Sequence, residues 1–468
     1  MERRSFIKNS SLLTSGFLLS YDTLFAINKS GLSKKRIALV GTGHRGTGFW
    51  GKTIQDNYND VIEFVGLCDI NPGRLAFAKE RIGITCSTFT NFEQMMKSVK
   101  PEVVIVTTVD STHDEFIIKA MEMGADVITE KPMTTDEKKC TAILDAEKRT
   151  GKKIIVAFNY RHGPHMMKMK ELLAQNRIGK VTSVDFNWML NVYHGADYFR
   201  RWHGIVEKSG SLWVHKSTHH FDLVNWWLDS DPVQVTAYGS LEHYGKNNSF
   251  RGTKCRGCSY KDSCKFYLDI TQNEWLNNLY VKNEHHDGYL RDGCVWRNEI
   301  DIYDKMSAQI IYANGVTVNY SLTTYSPYEG WRIAFNGFNG RMETWQDIPY
   351  QEADVDQATR HAAEMEQNNE EATGEFQEIM LMDNFSKEHQ FIHVPKYKGG
   401  HGGGDKRMQD RIFRPATTDN PYNIIAGTRD GAMSILIGIA ARKSIQEKRT
   451  VKISELTDIV PKAVRPIA

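Results

Sequence analysis

The sequence predicts a two-domain α/β protein: a doubly wound parallel sheet, then an α/β domain with an open, mostly antiparallel sheet. Three observations predict it. Short apolar runs alternate with helical stretches as far as Phe158, and a glycine-rich turn follows the first run at once. From Asn159 the texture changes to alternating apolar and polar runs, with Ala313-Asn314-Gly315 as a hairpin turn between two of them.

In the first domain, residues 33–158, Arg36–Val40 is long enough for a buried strand and too short for a helix. Gly41-x-Gly43-x-x-Gly46 follows. Glycines at this spacing let the chain turn tightly, approach a pyrophosphate and open a helix whose N-terminus faces the phosphates. The next run, Val61–Cys68, ends in Asp69, placed to hold the hydroxyls of an adenine ribose. A carboxylate there favours NAD over NADP, whose extra phosphate it repels, although Arg74 stands nearby. Asn71-Pro72-Gly73 is a turn and Arg74–Arg81 a helix. The strand Glu102–Thr108 leads into Ser111-Thr112-His113, which opens a helix over Glu115–Met123. Gly124–Thr129 is a strand ending in Glu130-Lys131-Pro132, Thr134–Thr150 a helix capped by Thr135, and Lys153–Phe158 the last strand. Such a Rossmann arrangement binds its ligand at the strands' C-terminal ends. The expected cofactor-binding residues there are Gly41, Gly43, His44, Arg45, Gly46 and Asp69, with Thr108, His113, Glu130 and Lys131.

The second domain, residues 159–468, opens with a helix over Met166–Gln175. Its strands are Val181–Met189, Val233–Tyr238, Met306–Tyr312, Val316–Tyr325, Arg332–Asn336 and Arg341–Trp345. The acid-rich segment Asp354–Glu378 reads as a surface insertion and Lys396–Lys406 as a glycine-rich loop. Thr428–Ser444 has helical apolar spacing, and Val451-Lys452-Ile453 is a final strand.

With 59 basic and 57 acidic residues the chain carries no electrostatic footprint for nucleic acid. Ten tryptophans and nineteen tyrosines suit a carbohydrate-handling surface as well as cores. Residues 1–30 read as a targeting segment: Arg3-Arg4-Ser5-Phe6-Ile7-Lys8 is a twin-arginine pattern, and the apolar run Ser11–Leu19 is too short to span a membrane. This predicts export of the folded protein to the periplasm, the alternative being an uncleaved cytoplasmic tail.

Of seven cysteines, Cys68, Cys86 and Cys140 read as buried apolar residues. Cys255-x2-Cys258-x5-Cys264, with Cys294 further on, suits a tetrahedral structural zinc within an insertion spanning residues 250–295. An iron–sulfur cluster accepts the same ligands, and two disulfides compete if the protein is exported.

GTGHRG, Asp69, Glu130-Lys131-Pro132 and the stretch Ser209–Asp222 followed by Trp226-Trp227-Leu228 together resemble the glucose–fructose oxidoreductase/inositol dehydrogenase (Gfo/Idh/MocA) family, from Arg36 to Ile453. The resemblance implies a Rossmann domain, an open antiparallel sheet, NAD(P)-dependent oxidation of sugar or cyclitol hydroxyls, and a homo-oligomer formed through the exposed sheet face. Such chemistry needs a base for the hydroxyl proton and a cation to steady the alkoxide. Lys131, at a strand's C-terminal end, is the expected cation, aimed by Pro132 through a cis bond. In the family the second motif carries an aspartate, a histidine four residues later and an aspartate three further on. Here His219 and Asp222 match, and His215 stands where the first aspartate is expected. On a helix, His215 and His219 would share a face. His219 is then the acid/base candidate and His215 a substrate-binding or auxiliary group, with a metal pair as the rival reading. The missing aspartate removes an anion that would tune the histidine. Tyr160 and Arg161 are expected near the substrate, Arg161 either binding it or forming a structural ion pair. His401-Gly402-Gly403-Gly404-Asp405 resembles a segment of the family's NAD-dependent glycosidases. The expected activity is oxidation of a sugar hydroxyl by tightly held NAD in carbohydrate or polysaccharide breakdown. The alternative is a glycoside hydrolase or lyase that uses transient hydride transfer.

Overall fold

Strands covered on both faces read as unbroken apolar runs, and Val103–Val106 is buried at every position. In the computed structural model, which describes residues 33–347, 372–397, 400–415 and 421–465, it is the fourth strand of a parallel sheet. That sheet comprises β1 (Lys35–Val40), β2 (Ile62–Cys68), β3 (Ser87–Phe89), β4 (Val103–Val106), β5 (Asp126–Thr129) and β6 (Ile154–Val156). Their order is β3-β2-β1-β4-β5-β6, all parallel. The order reverses between β1 and β4, so the crevice for a ligand opens beyond their C-terminal ends. β3 is absent from the sequence reading because its three residues, none of them buried, give no apolar run.

The expected helices are present with shifted starts. Asn71 caps Pro72–Ile82 by accepting from the Arg74 N–H. The helix expected from Thr134 begins at Glu137, and its cap is Asp136 in place of Thr135. Asp136 is extended, and its carboxylate accepts from the Lys138 and Lys139 N–H groups. After the glycine turn the helix has π geometry over Gly46–Thr53 before Ile54–Tyr58 becomes regular.

The second sheet holds β7 (Val181–Asn191), β8 (Pro232–Ser240), β9 (Lys305–Tyr312), β10 (Thr317–Ser326), β11 (Gly330–Gly337), β12 (Gly340–Gln346), β13 (Ala372–Asp383), β14 (His389–Tyr397) and β15 (Val451–Lys452). Its order is β14-β13-β12-β11-β7-β10-β9-β8-β15. Every pairing is antiparallel except β7 with β10. Two expectations gain detail. The end of the acid-rich surface insertion is strand: β13 begins at Ala372, and its first half pairs with β14 while most of its side chains stay exposed. The remainder of that segment, residues 354–371, lies outside the described residues, as does the targeting segment. The glycine-rich loop is shorter than expected, since β14 runs to Tyr397 and a helix starts at Gly404 and runs to Phe413.

The helix Thr428–Glu447 is buried along most of its length. It packs on β8, on the helices Leu212–His215 and Ser217–Leu228, and on β6 of the first sheet. One apolar rod is thereby shared by both domains, and it fixes the motif helices against the parallel sheet. No helix among the described residues is long and apolar enough to cross a membrane.

Candidate active site

At the turn after β1, Gly41 has φ +92°, and a Cβ there would lie 2.6 Å from the Thr107 backbone. A Cβ on Gly46 would lie 2.0 Å from the Gly41 carbonyl oxygen, so these two glycines allow strand and helix to close up. Gly43 differs: its added Cβ would meet only the Tyr280 hydroxyl, at 3.3 Å. This is the side on which a pyrophosphate approaches. The His44 N–H donates to the Tyr280 hydroxyl at 2.8 Å, and Trp275 Nε1 donates to His44 Nδ1 at 2.7 Å. Both partners come from the cysteine-rich insertion, which covers the turn. The turn and the acid at the end of β2 fit a dinucleotide.

Asp69 is where the sequence placed it, 8% exposed at the end of β2. Its Oδ2 accepts from Thr42 N and Oγ1, and its Oδ1 from the Asn71 N–H and from Arg74 Nη2. Arg74 also pairs with Asp287 of the insertion. Arg45 and Glu130 form an ion pair at 2.7 Å, with Trp50 Nε1 also on Glu130 and Arg45 reaching Asp405 at 3.0 Å. These two tie the glycine turn to the Glu130-Lys131-Pro132 turn and to the helix starting at Gly404. Thr108 Oγ1 accepts from Thr112 Oγ1 at 2.9 Å. His113 is corrected from a cofactor-facing residue to a support. Its ring nitrogens lie 2.8 Å from the Pro132 carbonyl and 3.2 Å from the Thr108 carbonyl, and it is 1% exposed.

Lys131 leaves β5 at its C-terminal end, ahead of a cis bond to Pro132. Its Nζ donates to the His215 carbonyl at 3.2 Å. Burial pushes the Lys131 ammonium down to about 8, opposed by Asp110 and Glu130 and assisted by Lys216 and Arg45. His215 and His219 do not lie on one continuous helix. The chain breaks at Lys216 between Leu212–His215 and Ser217–Leu228, and the two imidazoles enter different surroundings. His215 packs against His203, Tyr198 and Trp202, and its Nδ1 is 2.6 Å from Asp110 Oδ2. His219 packs edge-on against Tyr160 at 4.8 Å, with His401 5.6 Å away, and its buried Nδ1 has no hydrogen-bond partner among the described residues. Burial first, then the Lys131 charge, holds both imidazoles well below the usual histidine range, so both are neutral bases.

Asp110 supplies a carboxyl where the motif lacks one, but to His215 and from the β4 side, 105 residues away in sequence. Burial raises its carboxyl well above the ordinary value, against the pull of Lys131. The sequence reading passed over Asp110, although its place just after a strand end was a usable signal. Tyr160 faces His219, His401 and Trp188. Of the two expectations for Arg161 the structure shows the ion pair: it is 1% exposed and bound to Asp222 through Nε and Nη2 and to Asp430 through Nη2. Its guanidinium therefore serves a buried ion pair, and Asp222 is consumed by the same pair. His401 Nδ1 lies 3.2 Å from Asp405 Oδ2, and Asp405 Oδ1 accepts from Arg45 Nη2 and Asn159 Nδ2. The faint glycosidase-like segment thus reaches the same cleft as Tyr160 and His219.

No two of the seven cysteines are disulfide-bonded in the structure. Cys255, Cys258, Cys264 and Cys294 line one cavity with Arg200, Phe266 and Trp296. Among the described residues no group of three or more His, Cys, Asp or Glu side chains is arranged to hold a metal ion.

The oxidoreductase family GFO_IDH_MocA matches with its NAD-binding Rossmann fold over residues 35–158 and with its C-terminal alpha/beta domain over residues 170–453. The chain is 35% identical over 449 residues to YteT of Bacillus subtilis, named as an oxidoreductase, covering 90% of this chain and 98% of that one. It is 24% identical over 204 residues to an inositol 2-dehydrogenase/D-chiro-inositol 3-dehydrogenase of Lactiplantibacillus plantarum, 43% of this chain and 55% of the relative. Among solved structures, a levoglucosan dehydrogenase in complex with NADH and levoglucosan has the same fold, with a TM-score of 0.62 at 18% identity over 90% of this chain and 100% of that one. The glycine turn, the two sheets and these matches over both domains place the chain in the Gfo/Idh/MocA oxidoreductase family, with an NAD-binding Rossmann domain.

Proposed function

We propose that the protein oxidises a secondary hydroxyl of a sugar or cyclitol using NAD held tightly in the cleft beneath Tyr280, in the breakdown of carbohydrate or polysaccharide. The relatives named for inositol and the structural neighbour named for levoglucosan support this substrate class. Arg74 is committed to two carboxylates, which supports NAD over NADP. Gly41, Gly43 and Gly46 would admit the pyrophosphate, and Asp69 would face the adenine ribose. When bound, NAD supplies the hydride acceptor.

One observation carries the reading: Lys131, at the strand end, bonds to the backbone of the helix that presents His215 and leads to His219. The ammonium steadies the developing alkoxide. His219, neutral and with an unpartnered nitrogen, accepts the hydroxyl proton. His215, oriented by Asp110, and Tyr160 position the ring. Full-length protein given a panel of sugars and cyclitols tests this. NADH absorbance should appear with the substrate, and His219→Asn should lower the rate by about 10²–10⁴-fold, the usual worth of a positioned base. An unchanged rate would remove His219 from the reaction.

A second reading is favoured by the placement of His401, 4.7 Å from Tyr160 and 5.6 Å from His219. It is a redox-neutral glycoside hydrolase or lyase, which returns the hydride after the substituent leaves. Cleavage of an aryl glycoside without net NADH separates it from the first. The twin-arginine pattern supports a periplasmic location, where no pool of free NAD supplies turnover and the cofactor must be recycled in place. A homo-oligomer through the outer face of the second sheet belongs to the same proposal.

A further inference from the structure

Oxidation of a hydroxyl needs one cation at the reacting oxygen, and Lys131 fills that place. A second pair of cations stands nearby with no task in that step. Arg201 follows the helix Val192–Arg200, and Arg291 belongs to the cysteine-rich insertion. Both bind Asp197. Arg291 Nη1 donates to its Oδ1 at 2.7 Å, Arg201 Nη2 lies 2.6 Å from its Oδ2, and Arg201 Nε donates to its carbonyl at 3.2 Å. Two guanidiniums thus share this carboxylate, and Arg291 is only 6% exposed. Arg201 Nη1 and Arg291 Nε and Nη2 make no hydrogen bond among the described residues, yet none of them is sealed from water. Positive charge held this deep is costly unless an anion meets it.

Ring contacts carry the pair to the reaction centre. The Arg201 guanidinium lies 5.7 Å from the centre of the Tyr198 ring, which packs against His215 at 5.4 Å and His203 at 5.5 Å. On the other side Tyr289, close to Arg291 in the chain, meets Tyr280 at 5.7 Å, and the Tyr280 hydroxyl meets His44. The Arg201 charge accordingly bears on Asp110, His203, His215 and His44, and the Arg291 charge on His44 and His203. The carboxylates described around the cleft are engaged elsewhere. Burial holds the Asp110 carboxyl toward its acid form, and Glu130 and Asp405 are paired with Arg45. Glu329 accepts from the Asn191 N–H at 2.8 Å and lies 3.1 Å from His194 Nδ1. A guanidinium fork with open N–H groups is shaped for an oxyanion. The dinucleotide pyrophosphate and an acid group on the sugar are the two candidates. Arg201 favours the second, because one ring separates it from His215, whose carbonyl accepts from Lys131.

We propose that the substrate is a sugar acid, and that Arg201 and Arg291, braced on Asp197, bind its carboxylate beside His215. This rests on the reading that a sugar hydroxyl is oxidised in this cleft, and it names the class of sugar. The carboxylate anchors the ring from the insertion side, while Lys131 and the imidazoles meet the hydroxyl.

The test sets acids against their neutral twins on full-length protein saturated with NADH: galacturonate against galactose and glucuronate against glucose, by calorimetric titration. The natural chain should bind an acid at least about 10-fold tighter than its twin, the worth of a hydrogen bond to a charged group. Arg201→Met should lose most of that preference and keep its binding of NADH, read by fluorescence. Arg201→Lys, which keeps the charge and loses the fork, should retain part of the preference. Equal affinity for acids and twins in the natural chain overturns the proposal. So does an Arg201→Met protein that keeps the preference and loses NADH, which would assign the guanidiniums to the pyrophosphate. If Arg201→Met fails to fold, the natural chain and Arg201→Lys decide. Oxidation itself is judged separately. Turnover of neutral sugars at the rate of acids leaves it standing and removes the sugar acid; preferential binding of acids with no NADH formed from NAD leaves the carboxylate site standing and removes the oxidation.

Discussion

Lys131 is set by burial to titrate near the working range, at about 8, and this gives its role a sign. The ammonium form steadies the alkoxide, so the rate should fall as pH rises through about 8 and the proton leaves. Lys131→Arg stays charged throughout that range, so the basic limb of the initial-rate profile should vanish, at a lower plateau because the guanidinium cannot copy the ammonium's position. A limb that persists in the variant assigns the titration elsewhere. Asp110 is a positioning residue, acting through His215 at 2.6 Å. Asp110→Asn keeps the shape and removes the acid, so kcat should fall by about 10-fold or more with little change in KM, and the pH profile should shift with it. Asp110→Glu should recover part of the loss, which a merely structural role would not produce.

Among the elements, the tightened turn at Lys216 joins Leu212–His215 to Ser217–Leu228. On either side of it His215 meets Asp110, and His219 meets Tyr160 and His401. What holds these helices in place is the rod Thr428–Glu447. A Cβ on Gly438 would lie 2.2 Å from the Trp213 carbonyl oxygen, backbone that cannot yield. Gly438→Ala should therefore destabilise the protein by about 1–3 kcal/mol and lower activity by displacing His215, read by thermal unfolding and initial rates. Local signals made much of this legible. Val103–Val106 announced a buried parallel strand, and the alternation in Val316–Tyr325 announced a half-buried strand, although not its parallel pairing with β7. β13 and β14 were hidden because much of their paired length is exposed and only Ile379, Leu381 and Val394 are buried, too few to mark two strands.

Across the whole molecule, the cleft depends on contacts between segments hundreds of residues apart, which leave no periodic trace in a sequence. Tyr280 reaches His44 across 236 positions, and Arg45 reaches Asp405 across 360. Arg161 shows the same limit: its residue type suits a substrate ligand, and only the fold reveals Asp222 and Asp430 on either side of it. The cap formed by the insertion should slow exchange of the dinucleotide. Tyr280→Phe removes the hydroxyl that meets the His44 N–H and should release bound NAD several-fold faster in a dilution assay; equal release rates would show that the cap does not retain it.

The central claim is that Lys131 and the paired imidazoles act on a hydroxyl beside a dinucleotide bound at the glycine turn. Its most direct measurement is the absorbance of NADH in full-length protein mixed with its sugar or cyclitol in a single turnover, for the natural chain and for Lys131→Met. The account predicts stoichiometric formation of NADH in the first and a loss of at least about 10²-fold in rate in the second; equal rates in both proteins would contradict it.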